Sequence, residues 1–129
     1  MKLGVVAVIN LFSGIKKYNG DLQLDISKIA LSAALTILYP SKGHRDSYCT
    51  AIAGVLTKHT DWNKSEIDEF VYFISVAAGD EESNKRMSKG STSKEKSFGM
   101  PKLAEIISCS IKTVSELFSW VGVSDSGAN

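Results

Sequence analysis

YPSKGHRDSYCTAIAG, residues 39–54, sets the proline-terminated end of one apolar segment against the start of another. Pro40 cannot continue a helix, because it lacks an amide hydrogen and its ring collides with the preceding turn. Gly43 permits the tight turn that must follow. Asp46 or Ser47 can then cap a second helix by accepting a hydrogen bond from an amide of its first turn. The loop also carries Lys42, His44 and Arg45. Helix-start amides, the positive end of the helix dipole and basic side chains aimed at one spot suit an anion, a phosphate above all. A basic loop ahead of a helix is also often no more than a solvated turn.

On either side of this loop the apolar residues recur with helical period. Upstream, Asp25 can cap a helix in which Ile26, Ile29, Ala30, Ala33 and Ile37 form one face while Leu31, Ala34, Leu35 and Leu38 fill the other. A helix apolar nearly all round is expected at the centre of a bundle. Downstream, Tyr48, Ala51, Ile52, Val55 and Leu56 make a single stripe on a helix from about Asp46 to His59. Asn63 and Glu66 stand at capping-box spacing before a third helix carrying Ile67, Phe70, Val71, Ile74, Ala77 and Ala78, which Gly79 closes. Asp80 is expected to cap a polar segment that runs into the Ser- and Lys-rich stretch 88–97. Pro101 fits the first turn of a short helix over 102–108, and Ser110 caps a last one with Ile111, Val114, Leu117, Phe118 and Val121. The expected fold is all-α, a compact bundle of about five to six helices.

Composition fits one soluble domain. The chain has 129 residues, 43% apolar and 22% charged, with a net charge of +1. The distribution of charge is less even than its total. From Asn84 to Lys102 six cations (Lys85, Arg86, Lys89, Lys94, Lys96 and Lys102) face one Glu95, while acidic residues gather at 61–69 and 80–82. A basic face opposite an acidic one is the expected electrostatic footprint for nucleic acid. Cys49 and Cys109 lie in apolar helical patterns without CxxC spacing, so they read as small core residues in a reduced, cytoplasmic setting. The apolar run 3–12 is too short to span a bilayer and lacks a small-residue cleavage pattern, so no membrane role is expected. It reads as a first buried element, helix or strand.

Several segments together resemble a known family. YPSKGHRDSYCTAIAGVL at 39–56, the W-x-x-x-E-I-x-x-F-V pattern of Trp62 to Val71, AAGDEESNKR at 77–86 and GMPKLAEI at 99–106 resemble the primase C-terminal helical domain, which follows the catalytic module in plasmid- and phage-type primase-polymerases. The likeness covers roughly residues 25–123. It leaves 1–24 outside and 124–129 as an expected flexible tail. It implies a noncatalytic domain serving DNA replication, which holds single-stranded DNA template or an initiating nucleotide such as ATP beside a primase-polymerase catalytic module or replicative helicase. Arg45 and Arg86 carry over by family position as phosphate or nucleotide contacts. With the flanking residues this gives a candidate binding set of Lys42, Gly43, His44, Arg45, Lys85, Arg86 and Lys89. The sequence departs from the family pattern after Arg86, where 87–97 is rich in Ser, Lys and Gly, so any role for Thr92 is not carried over.

Other readings of the residues remain open. Single-strand binding also uses aromatic platforms; Tyr39, Tyr48, Trp62, Phe98 and Trp120 are the candidates, with Tyr48, Trp62 and Trp120 better suited to the core. Residues 102–122 have the spacing of a helix-turn-helix, in which Lys112, Thr113 and Glu116 would read duplex DNA. Ser108 there stands where glycine is usual, at a left-handed backbone cost. A helical protein-docking module that uses exposed apolar residues is the third reading. An enzyme is expected least. GSTSKEKS at 90–97 has Glu95 where a phosphate-binding loop needs its second glycine. His44 and His59 are fifteen residues apart, and Asp80, Glu81 and Glu82, being consecutive, point in different directions. No catalytic residue and no metal site is therefore assigned. His59 is expected to meet the C-terminal carbonyls of its own helix.

Overall fold

The computed structural model describes residues 23–87 and 99–123. They form five α-helices and two 3-10 turns: α1 Gln23–Ile37, α2 Arg45–His59, α3 Lys64–Ala77, a 3-10 turn Ser83–Arg86, α4 Met100–Ile106, α5 Ile111–Phe118 and a 3-10 turn Ser119–Val121. The fold is all-α, and no strand occurs among the described residues. None of these helices is long and apolar enough to cross a membrane. Segments 1–22, 88–98 and 124–129 lie outside the described residues, and with them Lys89, Thr92, Phe98, the apolar run 3–12 and the expected tail.

The central helix is α2, not α1. Every residue from Tyr48 to Leu56 is buried, which a single stripe does not explain. Opposite the stripe stand Cys49, Thr50, Ala53 and Gly54, small enough to let neighbours close in on that side as well. Helices α3 and α4 both pack against α2. In contrast, α1 buries Leu31, Ala34 and Leu35, with Leu38 just past its end, but leaves Ile29 63% and Ile37 38% exposed. Its second apolar face is covered at Ala30 and open at Ile29 and Ile37. Each large apolar side chain fully withdrawn from water contributes about 1.5–3 kcal/mol, and Leu31, Leu35, Ile52, Leu56, Ile67, Ile74, Leu103, Leu117 and Phe118 all qualify. Tyr48 joins this core by donating its hydroxyl to the Leu35 carbonyl at 2.6 Å. Trp120, 7% exposed, is core too.

Helix ends follow local chemistry. Asn63 and Glu66 form the reciprocal capping box, with Asn63 Oδ1 accepting from the Glu66 amide at 2.9 Å and Glu66 Oε1 from the Asn63 amide at 3.0 Å. Ser110 accepts from the Thr113 amide at 3.1 Å. Other ends differ from expectation. Asp25 lies inside α1, which already includes Gln23. Helix α2 begins at Arg45, with His44 as N-cap and no side-chain cap bond, so Asp46 sits in the first turn, where its charge still favours the dipole. At the other end of α2 it is Thr60, not His59, that donates its hydroxyl to the Leu56 carbonyl, at 2.5 Å.

Helices α3, α4 and the α5 extension end alike. The amide two residues past the last helical turn reaches back to an earlier carbonyl, and the residue between adopts positive φ. Gly79 (φ +79°) places the Asp80 amide on Ser75 O at 2.9 Å. Ser108 (φ +59°) places Cys109 on Ala104 O at 3.0 Å, and Gly122 (φ +92°) places Val123 on Phe118 O at 3.3 Å.

Candidate functional site

The closure at Gly79 builds the site. In this motif the residue after the positive-φ position usually turns an apolar side chain inward. Here that residue is Asp80, whose carboxylate is delivered into the interior with the residue only 5% exposed. Its oxygens are well supplied. Oδ2 accepts from the Tyr39 hydroxyl at 2.5 Å and from Arg86 Nε at 3.0 Å, while Oδ1 accepts from the Glu82 amide at 2.9 Å and lies 3.6 Å from an Arg45 guanidinium nitrogen.

Burial pushes the Asp80 carboxyl up. Hydrogen bonds from Tyr39, the Glu82 amide and Arg86, together with the Arg86 charge, outweigh it and hold the group below the ordinary carboxylate range. Tyr39 moves the other way, its hydroxyl driven up first by burial and then by its bond to the Asp80 carboxylate. The Tyr39 ring is packed edge-on against Tyr48 at 5.4 Å, with the Arg45 guanidinium over it at 5.6 Å. Buried to 9% exposure, Tyr39 has no face left on which a base could stack.

Arg45, in the first turn of α2, is held from two sides. Nε donates to the Pro40 carbonyl at 3.0 Å, and a terminal nitrogen meets Glu81 at 2.9 Å. Pro40 and Arg45 are thereby clasped across the turn that Gly43 makes at φ +100°. Arg86, on the 3-10 turn, is 4% exposed. Besides Asp80 it reaches Asp46 at 3.5 Å and Glu82 at 3.9 Å.

Together Lys42, Gly43, Arg45, Asp46, Asp80, Glu81, Glu82 and Arg86 enclose a cleft of about 230 Å³, where three cations meet four carboxylates. At this cleft the charges do not separate into a basic and an acidic face. Opposite charges interleave here because the acidic segment 80–82 folds back onto the basic turn.

The candidate set divides accordingly. Lys42, Gly43, Arg45 and Arg86 meet at this cleft. Lys42, His44 and Lys85 are exposed at or near it; Lys42 pairs with Glu81 at 3.5 Å and Lys85 with Glu82 at 3.2 Å. Such exposed pairs are weak and exchange readily. An anion would reach Arg86 only by displacing a carboxylate. The alternative set stands apart on α5, where Lys112 and Glu116 are exposed and Thr113 is half-buried with its hydroxyl 2.9 Å from that of Ser110. Sequence reasoning missed Asp80 as the hub and took it for a cap. The available signal was an aspartate directly after a helix-closing glycine.

Among the described residues no cluster of three or more His, Cys, Asp or Glu side chains is arranged to hold a metal ion. Comparison of the chain with family models, with curated proteins and with solved structures gave no match.

Proposed function

We propose that this chain is a noncatalytic helical module of a primase-type DNA replication protein, engaging single-stranded DNA or an initiating nucleotide such as ATP at the Lys42–Arg45 turn. One observation carries the reading. Two of the three segments most characteristic of the family resemblance, the Gly43–Arg45 turn and residues 77–82, meet in one cleft through an Arg45–Glu81 bond that spans 36 residues of chain. In this reading Asp80 and Arg86 position the turn from beneath, Lys42, Arg45 and Lys85 present cations to phosphate, and His44 stands beside them as a hydrogen-bonding side chain. Its partners are a primase-polymerase catalytic module or a replicative helicase, in the cytoplasm.

The test is fluorescence anisotropy of labelled single-stranded and duplex oligonucleotides at two salt concentrations, with wild type and Lys42→Ala/Lys85→Ala. The expected result is single-strand binding that weakens steeply with salt, with the log–log slope reduced by about two in the double variant, one per lost phosphate contact. Duplex preference that depends on Lys112 and Thr113 would instead favour the helix-turn-helix, for which the exposed start of α5 speaks. No binding to either would leave the docking module, to which the exposed Ile29 and Phe73 on α1 and α3 belong.

A further inference from the structure

At the far end of α2 from Arg45 lies a larger cleft of about 700 Å³, with Lys28, Lys58, His59, Asp61 and Trp62 on its walls. Trp62 stands in the short connector between α2 and α3, its amide held by Thr60 Oγ1 at 3.2 Å. Phe70 packs edge-on against the indole, with centroids 5.2 Å apart and planes at 80°. That contact fixes the ring yet leaves it half-exposed. The Lys28 ammonium rests over the ring at 4.6 Å, so a face of the indole is reached from a solvent-accessible side chain.

Of the two cleft carboxylates, Glu66 is already engaged: one oxygen accepts from the Asn63 amide at 3.0 Å and the other lies 3.6 Å from Lys28. Asp61 is exposed and can accept from an exocyclic amino group or a sugar hydroxyl. Gly122 contributes a wall without a side chain, and no atom lies within 4 Å of where its Cβ would stand.

We infer that this cleft is a base-stacking subsite for single-stranded nucleic acid, in which a nucleobase lies on Trp62 and the flanking phosphates meet Lys28 and Lys58. The inference rests on the nucleic-acid reading above and adds to it the aromatic platform that the Lys42 cleft lacks. Base stacking on an aromatic ring is stronger than an exposed cation–π contact, so an arriving base displaces Lys28 from the ring, and the freed ammonium turns to phosphate. The helix places Arg45 and Lys58 about 20 Å apart at 1.5 Å per residue, so the two clefts lie at opposite ends of α2.

Intrinsic fluorescence tests this directly, because Trp120 is buried at 7% exposure and Trp62 is the responsive indole. Titration with oligothymidylate is expected to quench wild-type emission. Trp62→Leu is expected to abolish the quench and weaken binding about tenfold, Trp62→Phe to retain most affinity, and Lys58→Ala to lower the salt slope by about one. Circular dichroism of each variant separates lost contact from lost fold, and the wild-type quench needs no variant at all. Binding by anisotropy without quenching, and at unchanged affinity in Trp62→Leu, overturns the Trp62 subsite while leaving the Lys42 cleft standing. Absence of any oligothymidylate binding overturns both.

Discussion

Asp80 is the residue on which the turn, the acidic segment and both arginines depend. Its side chain is 1% exposed and that of its partner Arg86 is 5% exposed. Removing one member of such a pair strands the other charge out of water, at a cost of about 3–5 kcal/mol. Asp80→Ala is therefore expected to lose about 3 kcal/mol in urea denaturation. The double change Asp80→Leu/Arg86→Met should lose less than Asp80→Ala alone, since both charges leave together; a double variant as unstable as the sum of the singles would count against the pair. Thr50 makes the opposite case. Its hydroxyl is buried and, alone in this among the described residues, has no hydrogen-bond partner. Thr50→Val keeps the shape and removes the unmet polar atom, so a gain of about 1 kcal/mol is expected. Neither residue was legible beforehand. A sequence shows that Asp80 is charged and Thr50 polar, but only tertiary packing decides that one has four partners and the other none.

At the scale of elements, end signals were the most readable. The Asn63–Glu66 box, Gly79 and Ser110 act where the sequence places them, because caps depend on atoms a few residues apart. The cost foreseen at Ser108 is present as φ +59°. Ser108→Gly should relieve that strain, offset in part by the greater freedom of glycine in the unfolded chain. A net gain of about 0.5–1 kcal/mol, read as a higher thermal midpoint, is expected; a fall would mean that the exposed Ser108 side chain holds the α4–α5 turn. Helix centrality was less readable. The stripe on α2 was visible, whereas burial of its small-residue side is decided by tertiary packing. Helix α1 has apolar residues all round, yet Ile29 lines an open groove with Phe73, which is 59% exposed. Periodicity reports which faces can be buried and leaves open which ones a neighbour covers.

For the whole molecule, charge arrangement sets the pH range of stability. Asp80 is held below its ordinary value, so its contribution is complete above the unfolded carboxyl value near 4 and is lost as pH falls through the lower native value. Tyr39 is raised, so the native state keeps a proton that the unfolded chain releases near pH 10, and stability declines above about that pH. Urea midpoints should accordingly form a plateau between these limits and drop on both sides, with the acid limb flattened in Asp80→Leu/Arg86→Met. An acid limb unchanged in that variant would place the titration elsewhere. Net charge gave no hint of this, since the total of +1 hides how closely opposite charges are set. The candidate cations could be named from the sequence. Their division into exposed Lys42, His44 and Lys85 and buried Arg86 could not, because it depends on a fold-back made by one glycine.

That fold-back also limits how the chain can vary in length. Asp80 must leave α3 at a fixed angle and meet Arg86 six residues later, with no slack between the closing turn at Gly79 and the 3-10 turn that carries the arginine. Adding or deleting a single residue there would rotate one partner away from the other, so homologous chains that keep this clasp should keep the interval between these two residues free of insertions and gaps.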